Sequence, residues 1–348
     1  MNVLIMFGGV SSEHDVSLVS ATSVINNIDK DKFNVLMLGI TKDGRWLFYD
    51  GCVEDIVTGK WQEHDCIPAQ ISLVKNSHEL LLLGDGTIDH KHIDCVFPVM
   101  HGKNGEDGTV QALFTLAGIP FVGCDMLSSA MSMDKQTTNI MADYAQIRQA
   151  KWTACLKGDY NEKFVKQTVD YLGFPIFVKP ANAGSSVGIS KAKNIDELNS
   201  AAQLAFSHDR KVVFEECIVG REVECAVLGN ENPLASCVGE IVACAEFYDY
   251  DAKYVGDSKL YIPANIPDDT SEKIRKAAIN VYKTMGCSGL SRVDFFIGND
   301  GNIYFNELNT IPGFTSISMY PKLFDAVGVP YTELITRLIN FAIDRYEA

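Results

Sequence analysis

The residue types best suited to chemistry lie in one stretch near the end of the chain, Arg292–Ser318. Two runs that alternate apolar and polar residues flank the turn sequence Asn299–Asn302, and together they predict a β-hairpin. In such a hairpin Asp294 lies opposite Glu307, and Asn309 projects from the same face as Glu307. Two carboxylates and an amide oxygen suit Mg²⁺ that is bound together with a nucleotide. The alternative is a solvated sheet face with a chance acidic pair, and the hairpin alone does not decide between them.

A second stretch, Phe177–Ile189, has the composition of a loop that binds phosphate groups. Lys179 ends an apolar strand, and small or hydroxyl residues follow, among them Ser185 and Ser186. Such a loop can lie close over a polyphosphate and offer it backbone N–H groups and a lysine charge. The spacing differs from the P-loop pattern GxxxxGK(S/T), and a flexible surface loop is the alternative.

The apolar strand Val212–Ile218 runs into the acidic pair Glu215-Glu216, and β alternation resumes at Gly220. A segment that links two lobes in this way can line an adenine with backbone amides and a ribose with an acid. An edge strand with an acidic pair is the alternative.

Phe247–Tyr254 is dense in aromatic and charged residues. This composition suits a mobile lid that carries the charge of Lys253 and the phenol of Tyr254. An amphipathic surface loop with its rings packed inward is the alternative.

The first residues, Met1–Phe7, predict a buried parallel strand that ends at a glycine turn and a polar helix start carrying Glu13. A second buried strand, Cys95–Val99, ends in a glycine-rich loop that begins with His101. Both loops would lie at the carboxyl edge of a parallel sheet, where α/β domains bind ligands. The alternative for Glu13 is an acid that caps a helix or stabilises its first turn. The alternative for His101 is a polar loop side chain without a ligand.

Composition excludes several classes of protein. A net charge of -15 in 348 residues argues against nucleic acid or an anionic membrane as a partner. There is no apolar run of membrane-spanning length and no basic leader before the first strand. The ten cysteines are scattered without zinc spacing, which predicts reduced thiols and a cytoplasmic protein.

Strands and helices alternate along the chain, so we predict an α/β fold. One helix is predicted over residues 128–143, where Lys135 alone would be a solvated lysine. Residues 50–90 are predicted to be an irregular insertion. Thr270–Met285 predicts an amphipathic helix, and the tail predicts two helices around Gly328–Pro330.

Taken together, seven stretches resemble one family, the ATP-grasp D-alanine–D-alanine ligases of peptidoglycan synthesis. They are FGGVSSEHDVS, HGKNGEDGTVQ, SMDK, FVKPANAGSSVGISK, FYDYDAKY, SRVDFF and NELNTIPGFTSIS, and they cover nearly the whole chain in the family's order. The resemblance implies an ATP-grasp fold with a Rossmann-like N-terminal domain over residues 1–125. Two further lobes, 126–219 and 220–348, would clamp ATP between them.

The resemblance also implies a role for each matching residue. ATP would be held by Lys135, Lys179, Ser185, Ser186, Glu215, Cys217, Ile218, Glu222 and Lys253. Two Mg²⁺ ions, with Mn²⁺ as a substitute, would be bound by Asp294, Glu307 and Asn309. Glu13 and His101 would contact the first D-alanine, Ser318 and Met319 the second, and Arg292 and the Gly313 backbone the oxyanion. Glu13, Ser185 and Tyr254 match a hydrogen-bonded triad that closes the lid, and Tyr254 is a candidate general base.

The implied reaction joins two D-alanines through a D-alanyl phosphate, and a homodimer and a monovalent cation such as K⁺ are further family features. Relatives that use D-serine or D-lactate as the second substrate are the alternative. Tyr254 and the apolar Met319 favour D-alanine, whereas Ile317 departs from the family's usual polar or ring residue. A ligase for another amino acid or a catalytically silent ATP-binding protein is disfavoured, because Glu13, Arg292, Glu307, Asn309 and Ser318 are all present.

Overall fold

The computed structural model describes residues 1–184, 186–242, 259–315 and 317–347, and it has the mixed α/β character that the sequence predicts. The strands in these ranges form three sheets, and helices pack against each of them. No helix in the same ranges is long and apolar enough to cross a membrane. Three predicted site residues, Ser185, Lys253 and Tyr254, lie outside the described residues.

The first sheet is built around three mostly buried parallel strands. Its strands are β1 (Asn2–Gly8), β2 (Asn34–Ile40), β3 (Trp46–Tyr49), β4 (Ile67–Ile71), β5 (Glu79–Gly84), β6 (Thr87–His92) and β7 (Cys95–Val99), and its helices are α1 (His14–Asn27), α2 (Glu54–Val57) and α3 (Thr109–Ala117). The order is β6–β5–β4–β3–β2–β1–β7, and β1 pairs in parallel with both β2 and β7. The loops after β1 and β7, which carry Glu13 and His101, therefore leave the same edge of the sheet.

The prediction of an irregular insertion over residues 50–90 was wrong. This segment holds α2, a short 3₁₀ turn (Lys60–Glu63) and most of β4–β6, which extend the sheet with antiparallel pairing. β6 has the polar sequence TIDHKH and forms the exposed edge of the sheet. Because an edge strand pairs through its backbone, it needs no alternating apolar pattern.

The second sheet is a four-stranded antiparallel layer. Its strands are β8 (Trp152–Leu156), β9 (Ile176–Pro180), β10 (Ser190–Ala192) and β11 (Lys211–Glu216), and its helices are α6 (Glu162–Leu172) and α7 (Ile195–His208), with a 3₁₀ turn at Lys157–Asp159. The order is β10–β9–β11–β8. Val178, Leu198 and Phe214 belong to its core.

Two helices, α4 (Met126–Met133) and α5 (Lys135–Tyr144), stand where one helix was predicted over residues 128–143. The break falls at Asp134, whose carboxylate accepts a hydrogen bond from the Thr137 N–H at 2.9 Å and so caps α5. A short acceptor side chain at this position favours starting a new helix. Lys135 thereby becomes the first residue of α5.

The third sheet carries the predicted metal hairpin. Its strands are β12 (Gly220–Gly229), β13 (Leu234–Val242), β14 (Lys259–Tyr261), β15 (Gly289–Gly298) and β16 (Ile303–Asn309), and its helices are α8 (Asp268–Thr284), α9 (Met319–Asp325) and α10 (Tyr331–Glu347). The order is β14–β13–β12–β15–β16, all antiparallel. The predicted hairpin is confirmed, because Asp294 pairs directly with Glu307.

The first and third sheets share one hydrophobic core. Val3, Ile5 and Phe7 of β1 belong to the same buried cluster as Tyr320 of α9 and Leu338 of α10. At the end of α10, the Arg345 guanidinium also donates to the carbonyls of Phe121 and Gly123. This packing fixes the loops after β1 and β7 against the loop that follows β16.

Candidate active site

A cavity of about 850 Å³ lies where the three sheets meet, a volume typical of sites for small molecules. Ten of the predicted site residues line it: Glu13, His101, Lys135, Ser186, Arg292, Glu307, Asn309, Gly313, Ser318 and Met319. Six others do not border it: Lys179, Glu215, Cys217, Ile218, Glu222 and Asp294. The cavity thus collects groups from all three sheets although they are widely separated in the sequence.

Glu13 is buried at the start of α1, with 7% of its surface exposed. It occupies the N-cap position, yet its carboxylate makes no capping hydrogen bond to α1, so a simple capping role is excluded. Gly102 and Gly184 both approach it closely, because a Cβ added at either glycine would lie 2.5 or 2.8 Å from Oε2 of Glu13. The carboxylate is therefore enclosed between a loop of the first sheet and the glycine-rich loop after β9.

His101 is also buried, and both of its ring nitrogens have protein partners. Nδ1 lies 3.1 Å from the Ile311 carbonyl, and Nε2 lies 3.1 Å from the Ser20 hydroxyl. Because a carbonyl can only accept, Nδ1 carries the proton and Nε2 accepts from Ser20. Burial lowers the pKa of His101, against the opposing effect of the Glu13 charge, so the imidazole is neutral at physiological pH.

Glu106 is a cavity residue that the sequence analysis did not single out. Its carboxyl accepts hydrogen bonds from the backbone N–H groups of Gly102 at 2.7 Å and Ile311 at 3.3 Å. Burial, reinforced by the charge of Glu13, raises the pKa of Glu106 to about 8. No pattern in the sequence around Glu106 indicates these contacts, because Ile311 lies in a distant loop.

Lys135 reaches the glycine-rich loop after β9. Its backbone N–H donates to the Ala181 carbonyl at 2.9 Å, and its ammonium donates to the Ala183 carbonyl at 2.8 Å. In the same loop Ser186 adopts a positive φ of 60° and Gly188 one of 73°. Positive φ angles of this kind also occur in anion-binding nests, and within this loop the Val187 N–H donates to the Gly184 carbonyl at 3.1 Å.

Lys179 lies beside the cavity in a buried ion pair. Its ammonium is 2.6 Å from Glu215 and 3.4 Å from the Asn306 amide oxygen, and Asn139 donates to the other oxygen of Glu215 at 3.3 Å. Burial opposes the charge of Lys179, but Glu215 outweighs it and the pKa of Lys179 is raised. The lysine therefore stays charged, and it lies next to Asn306, which lines the cavity.

The residues predicted to contact the nucleoside follow Glu215 closely along the chain. Cys217 and Ile218 lie in the three-residue link between β11 and β12, and the Cys217 N–H donates to the Pro175 carbonyl at 3.3 Å. Glu222 lies on β12 opposite Phe296 of β15. All three are partly buried.

Arg292 and Asp294 form a bidentate ion pair at the base of the hairpin. The guanidinium donates to the two Asp294 oxygens at 2.8 and 2.7 Å and also lies 3.0 Å from Glu224. Burial disfavours this charge, yet the two carboxylates outweigh it and raise the pKa of Arg292 further. The Asn309 amide donates to Asp294 at 3.0 Å, which leaves its carbonyl oxygen as the group able to bind a cation.

The described residues contain no group of three or more His, Cys, Asp or Glu side chains arranged for a metal. The hairpin supplies two carboxylates and one amide instead. Asp294 is 2% exposed, whereas Glu307 and Asn309 line the cavity. This donor set of oxygen atoms fits Mg²⁺, which completes its coordination with water and phosphate oxygens.

Ser318 and Gly313 lie together at the other end of the cavity. The Ser318 hydroxyl accepts from the Thr315 N–H at 3.0 Å, and a Cβ at Gly313 would lie 3.1 Å from it. Met319 begins α9 and packs against Gly239, where a Cβ would lie 2.8 Å from its sulfur. Ile317 is 73% exposed.

Comparison with known proteins gives a consistent result. Family models described as "D-ala D-ala ligase N-terminus" and "D-ala D-ala ligase C-terminus" match residues 2–124 and 139–340. A D-alanine–D-alanine ligase of Acetivibrio thermocellus is 51% identical, over 99% of this chain and 96% of that protein. Among solved structures, the VanG D-Ala:D-Ser ligase from Enterococcus faecalis has a TM-score of 0.90 at 42% identity, covering 98% of this chain and 99% of that chain. The D-alanine–D-alanine ligase from Coxiella burnetii has a TM-score of 0.89 at 33% identity, covering 100% and 95%.

Proposed function

The chain belongs to the D-alanine–D-alanine ligase family and has its ATP-grasp fold, and we propose that the cavity described above is the site of ligation. The protein is an ATP-dependent ligase that joins two D-alanines to form the D-alanyl-D-alanine of peptidoglycan precursors. The assignment of roles to individual residues is our proposal. It is supported by the meeting of Glu13, Arg292 and Ser318 in one cavity.

We assign the first D-alanine to the space between Glu13 and Arg292. A buried carboxylate at the start of α1 suits an ammonium group, and the guanidinium suits a carboxylate that becomes a tetrahedral oxyanion. The Gly313 backbone N–H would be the second oxyanion donor. His101 borders this space, but its nitrogens are engaged by Ser20 and Ile311.

The nucleotide is assigned to the cleft between the second and third sheets. Lys135, Lys179 and the loop with Ser185 and Ser186 would hold its phosphates, and Lys253 would reach the γ-phosphate. Cys217 and Ile218 would face the adenine through their backbone, beside Glu215, and Glu222 would bind the ribose. The solved ATP complex of a Bacillus anthracis relative, with a TM-score of 0.75 at 29% identity over 100% of this chain and 99% of that chain, supports ATP binding in this fold.

Asp294, Glu307 and Asn309 would hold two Mg²⁺ ions, which when bound offset the negative charge on the phosphates. The position of Asp294 is set by Arg292. Glu307 faces the cavity directly. The ion pair between Arg292 and Asp294 therefore links the proposed metal ligands to the proposed oxyanion donor, Arg292.

The ligation would proceed in two steps. The carboxylate of the first D-alanine attacks the γ-phosphorus, ADP leaves, and an acyl phosphate forms. The ammonium of the second D-alanine gives up a proton, for which Tyr254 is the candidate base, and the free amine attacks the acyl carbon. Phosphate leaves with the second amine proton as the peptide bond forms. Since an acyl phosphate hydrolyses in water, a lid must exclude solvent, and we assign this role to the segment with Lys253 and Tyr254, together with Glu13 and Ser185.

The second D-alanine is assigned to the pocket of Ser318 and Met319. The Ser318 hydroxyl suits its carboxylate, and the apolar Met319 offers no polar partner to a hydroxyl group. The VanG relative uses D-serine, but more similar relatives, up to 51% identical, are D-alanine–D-alanine ligases. The homodimer, the cytoplasmic location, K⁺ dependence and the domain limits at 125 and 219 remain predictions.

The Glu13 assignment can be tested by comparing Glu13→Gln with Asp43→Asn. Asp43 does not line the cavity, its side chain is 66% exposed, and it pairs with Arg45. We expect Glu13→Gln to raise the KM for D-alanine at the first site strongly and Asp43→Asn to leave it nearly unchanged. Equal effects of the two variants would contradict the assignment.

A further inference from the structure

The backbone of Ile311 is held from both sides by one loop of the first sheet. His101 Nδ1 donates to the Ile311 carbonyl at 3.1 Å, and the Ile311 N–H donates to Glu106 Oε1 at 3.3 Å. The partners are 210 and 205 residues apart in the chain. A single peptide segment in the loop after β16 is therefore fixed to the loop after β7.

The same loop also contacts the residue assigned to the substrate ammonium. The Ser11 hydroxyl donates to the His101 carbonyl at 2.7 Å, and the Glu13 N–H donates to that hydroxyl at 3.2 Å. Glu106 Oε2 accepts from the N–H of Gly102 at 2.7 Å, and Gly102 lies directly against the Glu13 carboxylate. The two oxygens of Glu106 thus connect the surroundings of Glu13 with Ile311.

We propose that Glu106 is a positioning residue that, with His101, sets the spacing between Glu13 and the Gly313 backbone and so aligns the first substrate between them. Gly313 follows Ile311 by two residues, so a shift of Ile311 moves the proposed oxyanion donor. The inference rests on the proposed function, because Glu13 and Gly313 are assigned there to opposite ends of the reacting molecule.

The chemistry of the side chain explains why a carboxyl stands at this position. Two backbone N–H groups need two acceptor atoms, and the ionised carboxylate, which forms above the pKa of about 8, offers both from one rigid plane. A carboxamide offers one acceptor, and its NH₂ group faces the second donor. Misplacement of reacting groups by about 1 Å can cost roughly 10²-fold in rate, so the loss of one of these bonds should affect catalysis measurably.

The chain provides a matched control in the next residue. Asp107 also accepts two backbone hydrogen bonds, from Asn104 at 2.8 Å and from Thr109 at 3.0 Å. Both of these bonds stay within the loop and the first residue of α3. Asp107→Asn therefore removes the same chemical feature as Glu106→Gln without a direct effect on Ile311.

The experiment measures kcat, the KM of D-alanine, the Kd of ADP and the melting temperature for the wild type, Glu106→Gln and Asp107→Asn, all at about pH 9, where Glu106 is ionised. We expect Glu106→Gln to lower kcat by about 10-fold or more with an unchanged Kd for ADP. Asp107→Asn should lower the melting temperature about as much as Glu106→Gln does, but it should change kcat much less than Glu106→Gln. A kcat for Glu106→Gln equal to that of the wild type, or equal losses of kcat in both variants, would overturn the proposal.

A double-mutant cycle with His101→Asn tests whether Glu106 and His101 act through the same segment. Because both residues hold Ile311, the fold-reduction in kcat of the double variant should be smaller than the product of the fold-reductions in the two single variants. A loss equal to that product would overturn the joint action. Failure of the wild type to form product would instead refute the proposed function, so the two failures are distinguishable.

Discussion

Asp294 on β15 pairs directly with Glu307 on β16, so the two carboxylates emerge side by side from one face of the third sheet. The register shifts immediately afterwards, between Asp294 and Phe295. Arg292 and Asn309 form the next pair on the same face. The metal ligands and the proposed oxyanion donor are thus set by the register of one hairpin.

Glu307→Gln should abolish turnover, because an amide retains the shape of the side chain but not the charge that Mg²⁺ requires. The measurement is the Mg²⁺ dependence of ADP formation in the presence of D-alanine. Glu333→Gln, at an exposed site on α10 that pairs with Arg337, serves as the control. Activity close to that of the wild type in Glu307→Gln would remove this residue from the metal site.

Lys179→Met should reduce both ATP use and stability. The substitution leaves the Glu215 carboxylate, which is 11% exposed, without its ion-pair partner. Breaking a buried pair from one side typically costs about 3–5 kcal/mol. We expect a loss of this size in the free energy of unfolding from urea titration, and a lower kcat/KM for ATP.

The matched double variant Lys179→Met/Glu215→Gln should recover much of that stability without restoring ATP use. It removes the isolated charge but does not replace the lysine. If the double variant also regained its kcat/KM for ATP, Lys179 would have no direct role at the phosphates.

Gly239→Ala should weaken binding of the second D-alanine. The new Cβ would lie 2.8 Å from the Met319 sulfur and 2.9 Å from Leu323, so Met319, which lines the cavity, must shift. We expect a higher KM for D-alanine at the second site and an unchanged KM for ATP. Gly158→Ala is the control, since a Cβ there meets nothing within 4 Å, and equal KM values in both variants would contradict the prediction.

The stability of the protein should depend on pH through Glu106. Its pKa rises from an ordinary value of 4.5 to about 8 in the folded state, so the folded protein holds this proton more tightly than the unfolded chain. The stabilisation that protonated Glu106 gives to the folded state is complete below pH 4.5 and is lost as the pH rises through 8. Urea unfolding at pH 5.5 and 8.5 should therefore show a larger loss of stability in the wild type than in Glu106→Gln. Parallel pH dependences would mean that Glu106 does not titrate in this range.

The parts of the site that the sequence predicts are those determined by local patterns. Alternation and a turn sequence place Asp294 opposite Glu307, and strand ends followed by glycines place Glu13 and His101 at one sheet edge. The contacts of Glu106 depend on a residue 205 positions away, and the pairing of Lys179 with Glu215 depends on how two strands align. Such contacts come from tertiary packing and leave no pattern in the neighbouring sequence.

The secondary structure likewise includes elements that a sequence pattern predicts and elements that it does not. The helix break at Asp134 and the edge strand β6 were missed because a single capping carboxylate and backbone pairing decide them. Helices with a clear apolar face, such as α8, were predicted to within a few residues. Prediction from this sequence therefore fails for elements that have no periodic pattern of apolar residues, because a single side chain or backbone pairing decides them.

The most direct test of the account is product analysis with Mg-ATP and D-alanine alone, followed by the same reaction with D-serine or D-lactate in excess. Phosphate release is followed in solution, and the products are identified by mass. We expect D-alanyl-D-alanine as the product from D-alanine alone, with little displacement by either competitor. Dominant formation of a mixed product, or no D-alanine-dependent release of phosphate, would contradict it.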